Sequence, residues 1–526
     1  MLALETAVPK FVLVLLVVAL GTALALLSWK WAVLLVIGGI LLFLILIRPQ
    51  FALCLLAFAV PFGSIRELPL GPAGISASEL LIALLLASWL ARMVAARRFW
   101  IPRAPLLLPL FLFLGAILLS TLPATSLELS VKEIVKWLEV ALLYWFMADM
   151  VDERWAQWVV LSLLVAGSAE ALVGVYQFLR QVGPEGFILF GRFMRAYGHF
   201  AQPNPFAGYL GLTLPLAYAL TLEAWSLIRA RKTEQVLLGG VSIVAFATML
   251  AAMIMSWSRG GWVGLAAALM VITAVRSRTA RGYALVIGLL VAYFLLIGGA
   301  QYLPPALVQR VSDFVPYLSG IDVTRVEVTD ANWAVVERMA HWLAAVGMFS
   351  DHPWLGVGIG NYPVAYPQYT LGRWREALGH AHNYYLNIAA EAGVIGLGAY
   401  LLLFGACFTQ TWRVIQRLSR PAAGVVAQPE AKKESMLGGS RGSRRPTEIP
   451  SEARDDSRAP LQCVREGLTL ATPGCSYWRA VALGVLGVLV HLSVHHLFDN
   501  LFVHSMNVQL GLLLGLLSVA EKSIEV

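Results

Sequence analysis

Three stretches of this chain combine cations, imidazoles and glycines in patterns that could do chemistry. In Ser256-Trp257-Ser258-Arg259-Gly260-Gly261-Trp262 a permanent cation falls where one apolar run ends and the next begins. An arginine at that depth is costly unless it finds a partner. The flanking glycines allow close backbone approach, and the planar guanidinium suits a phosphate-type anion. The alternative is an arginine that snorkels to the interface or anchors a helix. A second arginine, Arg338, shares a helix face with His341 and Trp342 and could grip a further phosphate oxygen. Against that stands an ordinary ion pair with Glu337 or Asp330.

The third stretch is Gly379-His380-Ala381-His382-Asn383-Tyr384-Tyr385, running on to Glu391-Ala392-Gly393. A polar loop turns into an apolar helix here, so His382 and Asn383 fall at a first turn, where a neutral imidazole can accept a proton. A capping or packing histidine is the bland reading, and two histidines one residue apart tilt it towards function. Residues two apart on a helix differ by about 200°, so His380 and His382 are expected to face different ways. A rival constellation is His491, His495 and Asp499, spaced i, i+4, i+8 on one face, with His496 and His504 nearby. It is conceivable as a metal site but reads more simply as a polar seam. Asp499 could also orient a catalytic group or bind a sugar. No HExxH or GxSxG pattern occurs near these residues.

The elements that must position these residues are membrane helices. The chain has 526 residues, 59% hydrophobic and 13% charged. That is too little charge for an exterior facing water, which excludes a soluble enzyme and a disordered protein. A span needs about 20 apolar residues. Runs near 11–28, 31–47, 51–65, 79–96, 105–122, 131–149, 156–178, 205–228, 236–257, 261–276, 283–300, 383–412, 478–498 and 501–520 meet that template. The expected fold is therefore an all-α polytopic membrane protein of about 12–14 transmembrane helices. The net charge of +8 sits largely in short basic loops, such as Arg92/Arg97/Arg98/Arg103, Arg229/Arg231/Lys232 and Arg276/Arg278/Arg281. By the positive-inside rule these are cytoplasmic, as are both termini, and nucleic acid is not an expected partner.

Six regions follow. Residues 1–204 are N-terminal spans, 205–300 central spans carrying the SRGG stretch, and 301–382 a large, partly helical outer loop. Residues 383–412 form the span after the HAHN stretch, 413–477 a cytoplasmic linker read as disordered, and 478–526 a terminal hairpin. A shorter outer segment near 180–204 carries Arg192, Arg195 and His199. Within the large loop, 331–349 has helical spacing with Trp333, Val336, Met339 and Leu343 on one apolar stripe, and 351–362 is rich in turns.

The stretches SWSRGGWVGL, ERMAHWLAAVGMFSDHPWLGVGIGNY and HAHNYYLNIAAEAGVIGLGAYL, in this order, resemble the O-antigen ligase and polymerase superfamily of bacterial membrane glycosyltransferases. The resemblance is strongest over about residues 195–410, and His-Asn followed by Glu-x-Gly after a PxxGxGxG loop is its most specific part. It implies a GT-C-like bundle with a periplasmic loop over a lateral cavity in the bacterial inner membrane. It also implies transfer of a glycan from undecaprenyl pyrophosphate to an acceptor hydroxyl, with no metal and no other cofactor. Best matched is an O-antigen ligase acting on lipid A-core; a polymerase acting on glycan and a protein O-oligosaccharyltransferase share the motifs. Carried onto this chain, Arg259 and Arg338 are the pyrophosphate-binding arginines and His382 the acceptor-activating base. His380, Asn383, His341, Arg195 and Asp499 are possible accessories. The competing class is a lipid-glycan flippase, which would be expected to carry charge along the midplane of several spans.

Overall fold

The structure, a computed structural model, describes residues 26–63, 76–97, 104–229, 233–312, 322–329, 332–419 and 473–525, with Leu15, Val18, Gly21 and Thr22. Most of the expected span 11–28 and of the linker 413–477 lies outside these residues, as do Arg98, Arg103, Arg231, Lys232 and Asp330.

Apolar runs become helices because lipid offers the backbone no hydrogen-bond partners. In chain order these are α1 (Trp29–Ile47), α2 (Gln50–Gly63), α3 (Ala77–Ala95), α4 (Leu107–Leu119), α5 (Leu127–Met150) and α6 (Glu153–Arg180). Next come α7 (Pro203–Arg229), α8 (Thr233–Met255), α9 (Arg259–Arg276) and α10 (Arg278–Leu296). The large loop contributes α11 (Pro305–Ser312), α12 (Trp333–Asp351) and the single turn α13 (Tyr362–Ala365). The chain ends with α14 (Tyr384–Ser419), α15 (Pro473–His495) and α16 (Met506–Glu525). Among the described residues, eight helices are long and apolar enough to cross a membrane, and α2 and α4 are shorter apolar helices. The longer α5, α10 and α16 occupy three further expected spans. The architecture is polytopic and almost wholly helical. Among the described residues the departures from helix include a two-residue hairpin, β1 (Ile188–Leu189) against β2 (Phe193–Met194), in the shorter outer segment.

Local chemistry sets the helix starts. Ser76 and Glu79 form a reciprocal capping box on α3, Asp152 accepts the Trp155 amide at 2.9 Å on α6, and Ser258 accepts from Gly261 on α9. Small residues bring the inner helices close, as membrane packing requires. Gly211 on α7 and Gly264 on α9 leave the space that the His491 ring of α15 fills.

The helix that follows the His-Asn stretch is broken. Within α14, Gly393 has φ +62° and ψ −165°, which splits the helix into two arms. The loop 353–362 threads against the break and takes over its hydrogen bonds. Val394 N–H donates to Pro353 C=O at 2.8 Å, Val357 N–H to Ala390 C=O at 2.9 Å, and Gly358 N–H to Glu391 C=O at 2.9 Å. The Glu391 side chain accepts the Tyr362 amide at 3.0 Å. Asn361 ties the far side of the loop to the start of α5, donating to Ser130 Oγ at 2.9 Å and accepting from Ser126 N–H at 2.7 Å. The Glu-x-Gly pair is thus explained by backbone satisfaction.

On α12 the buried face is Val336, Ala340, His341, Ala344, Ala345 and Met348. The expected stripe is rotated: Trp333 and Leu343 are exposed, because the helix packs close through alanines while Trp333 meets Trp374 edge-on at 4.7 Å. Gly393→Ala should destabilise the protein by about 1–3 kcal/mol or more, because its φ and ψ lie in a region essentially restricted to glycine. An added Cβ would also meet the Trp354 backbone. An unchanged melting temperature in detergent would show that the break tolerates a side chain.

Candidate active site

Asp499 lies in the turn between α15 and α16, buried to 7% exposure. Its amide continues α15 by donating to His495 C=O at 3.1 Å. The His380–His382 segment comes down onto this carboxylate. Helical spacing predicts divergent rings, and the structure corrects that expectation. The helix begins at Tyr384, and His382 precedes it in a left-handed backbone with φ +51°. Both rings converge on Asp499 Oδ1, His382 Nδ1 at 3.3 Å and His380 Nε2 at 3.8 Å, with ring centroids 4.5 Å apart. Asn383 acts at the junction, accepting Leu386 N–H at 3.1 Å and donating to Leu497 C=O at 3.1 Å.

A carboxylate only accepts hydrogen bonds, so the His382 proton resides on Nδ1. His382 Nε2 then carries a lone pair, is buried and has no hydrogen-bond partner. Nearby, Trp342 Nε1 donates to His382 C=O at 3.3 Å, and the His341 ring lies edge-on to His382 at 5.7 Å. His341 itself stacks on Tyr366 at 4.6 Å and meets Tyr362 Oη through Nδ1 at 3.0 Å.

Burial pushes His341 down to about 4, helped by the neighbouring His382 and His380. Burial likewise pushes His380 down to about 4, with Asp499 opposing and the His382, Arg338 and Lys136 charges adding. For Asp499 burial works against ionisation. The His382 hydrogen bond and the His382, His380 and Arg338 charges outweigh it and hold the carboxyl well below the usual range.

Four arginines from separate segments gather here. Arg195, half-buried after the β-hairpin, donates through Nε to Ser256 C=O at 2.9 Å and through Nη2 to Asn204 Oδ1 at 3.0 Å. Its pKa is lowered by burial and by the charges of Arg310, Arg338 and Arg259, with Asp499 opposing. Arg259 is the first residue of α9, whose N-terminus adds partial positive charge. The next residue, Gly260, packs on the His495 ring. Arg310 donates twice to Trp257 C=O, at 3.2 and 3.0 Å. Among the described residues Arg338 forms no ion pair with Glu337, and its Nε is buried without a partner.

His380, His382 and Asp499 offer one donor atom each, all within 4.8 Å, so this trio could hold a metal ion. The rival set expected from sequence does not assemble that way. His495 Nδ1 faces His491 Nε2 at 3.3 Å, and both rings are buried against neighbouring helices. The surrounding guanidinium charges oppose a divalent cation at the trio.

Residues 244–401 match the family model described as O-antigen ligase. That stretch is an O-antigen ligase domain. The chain is a multi-pass membrane protein whose central stretch is similar to O-antigen ligases, a family that implies transfer of glycan from a lipid-linked donor. Comparison with curated proteins returns no match. The O-antigen ligase domain contains Arg259, Arg338, His341, His380, His382 and Asn383, whereas Arg195 and Asp499 come from outside it. Sequence reasoning missed Arg310 and Trp342 as neighbours of the site. Arg310 is one arginine among several in a long loop, and only its tertiary contact with Trp257 distinguishes it.

His380 and His341, buried neutral at about 4, would titrate near 6.5 in the unfolded chain. As pH falls from about 6.5 to about 4 the unfolded state binds protons first, so folding stability should decline across that window. The depressed Asp499 removes further stability below the ordinary carboxylate range. Thermal melts in detergent at pH 7.5, 5.5 and 4.5 check this, and a flat profile would contradict neutral burial of the two rings.

Proposed function

We propose that this enzyme moves a glycan from undecaprenyl pyrophosphate to an acceptor hydroxyl at the periplasmic face of the bacterial inner membrane. His382 is the general base, and Arg259 and Arg338 stabilise the pyrophosphate. The observation that carries the reading is the His382 ring: Nδ1 backed by Asp499, and Nε2 buried and unpartnered beside a group of arginines. In the reaction the acceptor oxygen attacks the anomeric carbon while its proton passes to His382 Nε2. The bond from that carbon to the pyrophosphate oxygen breaks, and the electron pair leaves on the lipid pyrophosphate. One displacement of this kind inverts the anomeric centre. Asp499 steadies the imidazolium that forms, and the guanidinium groups, with the N-terminus of α9, meet the charge that develops on the leaving group.

The sidedness rests on charge. The 18-residue α9 opens at Arg259 and closes at Arg276, which pairs with Glu223 and accepts Arg479 at its carbonyl. Basic residues at that end favour the cytoplasm, which leaves the histidine end periplasmic. Transfer to lipid A-core, as in an O-antigen ligase, is the favoured acceptor reaction.

His382→Ala should abolish single-turnover transfer under saturating lipid-linked donor while donor binding persists. Wild-type transfer by that variant would remove the base. Asp499→Asn should cost at least about a hundredfold, since an amide can impose the wrong imidazole tautomer. Arg259→Ala and Arg338→Ala should each lose on the order of 2–4 kcal/mol of transition-state stabilisation, with poor rescue by lysine. Transfer should survive EDTA; loss on chelation that returns with added metal would give the His380/His382/Asp499 trio a metal instead. Supplying purified protein with donor and either lipid A-core, free glycan or acceptor protein identifies the acceptor by which one gains sugar.

A further inference from the structure

We infer that His380 is a positioning residue for the base, using its Nδ1 to hold the His382 amide and thereby the backbone turn that aims His382 at Asp499. The inference rests on the reading of His382 as the base. His382 N–H donates to His380 Nδ1 at 3.1 Å, a hydrogen bond between residues only two apart. It supports a left-handed backbone that few residues with a side chain adopt, although histidine is among the more tolerant. Such a conformation persists where the surroundings over-determine it.

The surroundings here do so at successive backbone groups. Ala381 N–H is taken by Asn387 Oδ1 at 3.0 Å, His382 C=O by Trp342 Nε1 at 3.3 Å, and Tyr384 N–H by His496 C=O at 2.8 Å. The amide of His382 is the member of this series satisfied by a side chain that also faces the catalytic carboxylate. Because Nδ1 accepts, the neutral ring carries its proton on Nε2, which points towards Asp499 Oδ1. That second approach, at 3.8 Å, is too long for a hydrogen bond and acts as an electrostatic contact. The two ring nitrogens therefore do different work, and the Nδ1 contact is the stronger. Protonation of the ring would remove the acceptor, and burial keeps the ring neutral. The expectation from helical spacing, that His380 stands apart from the base, is replaced by direct mechanical support.

Two conservative substitutions separate the nitrogens in the full-length protein. His380→Asn keeps an acceptor at the reach of Nδ1, whereas His380→Gln keeps a donor at the reach of Nε2. His380→Ala should lower the single-turnover rate by about tenfold or more, the scale of a misplaced catalytic group, with the donor KM within about twofold of wild type. Asparagine should restore most of that rate and glutamine little of it. Melting temperatures of all three are measured alongside; if the alanine variant does not fold, the asparagine–glutamine comparison still decides. Wild-type rates in both the asparagine and glutamine variants would overturn the inference. So would rescue by glutamine but not asparagine, or a donor KM that rises in step with the lost rate. His382→Ala runs in the same assay: if it stays active the base assignment falls and this inference with it, whereas a dead His382→Ala with no asparagine rescue overturns the role of His380 alone.

Discussion

The Asp499 carboxylate is the interaction on which the site depends. An ionised carboxyl at the end of an apolar bundle is expensive unless hydrogen bonds and opposite charge compensate it. Compensation comes from the hydrogen bond of His382, 117 residues away in sequence, and from the charge of Arg338. The turn between α15 and α16 is therefore docked to the start of α14 by the same contact that orients the imidazole. One contact thus both docks the C-terminal hairpin and orients the His382 ring. The carboxylate also offsets the mutual repulsion of the arginines, since it alone of the groups acting on Arg195 favours that residue's charged form.

Lipid sets the helices and makes them easy to read. With no water to satisfy backbone groups, each apolar run had one available structure, and the spans expected from 31–47 onwards became helices whose ends lie within a few residues. The chemistry-bearing stretches were legible as well, because arginine and histidine at membrane depth are conspicuous. The local geometry was not. Spacing rules assume a helix, but His382 sits before the helix in a left-handed turn held by the ring of His380 two residues back and by an indole and a carbonyl from two remote places in the chain. Nothing in the local sequence encodes the two remote partners. The rotated face of α12 failed for a related reason: bulk suggested Trp333 and Leu343 as the inner stripe, whereas close approach to α14 selected Ala340, Ala344 and Ala345.

The break at Gly393 shows how irregular backbone survives in this setting. A broken helix and a glycine-rich loop would each leave amides and carbonyls unpaired, but set against one another they exchange those hydrogen bonds. The consequence reaches the site. The loop 353–362 begins just after α12 ends, so fixing it against α14 fixes the helix that carries Arg338, His341 and Trp342 relative to His382. Trp342 completes the linkage by donating to the His382 carbonyl. An aromatic floor, with Tyr384 edge-on to Tyr400 and Phe502 at 5.0 Å each, supports the same junction from below.

Rigid support at the candidate site leaves some polar atoms without partners. Buried polar atoms left without partners cost about 1–3 kcal/mol each, so a fold normally satisfies them. Here the two candidate catalytic side chains, His382 at Nε2 and Arg338 at Nε, retain such atoms despite dense hydrogen bonding around them. One is an acceptor and the other a donor. An acceptor hydroxyl would supply the proton that His382 Nε2 lacks, and a phosphate oxygen would take the one that Arg338 Nε offers. On the proposed reading an acceptor hydroxyl and a donor phosphoryl group would each meet one of these atoms, and contacts that tighten as the groups react would favour the transition state over ground-state binding.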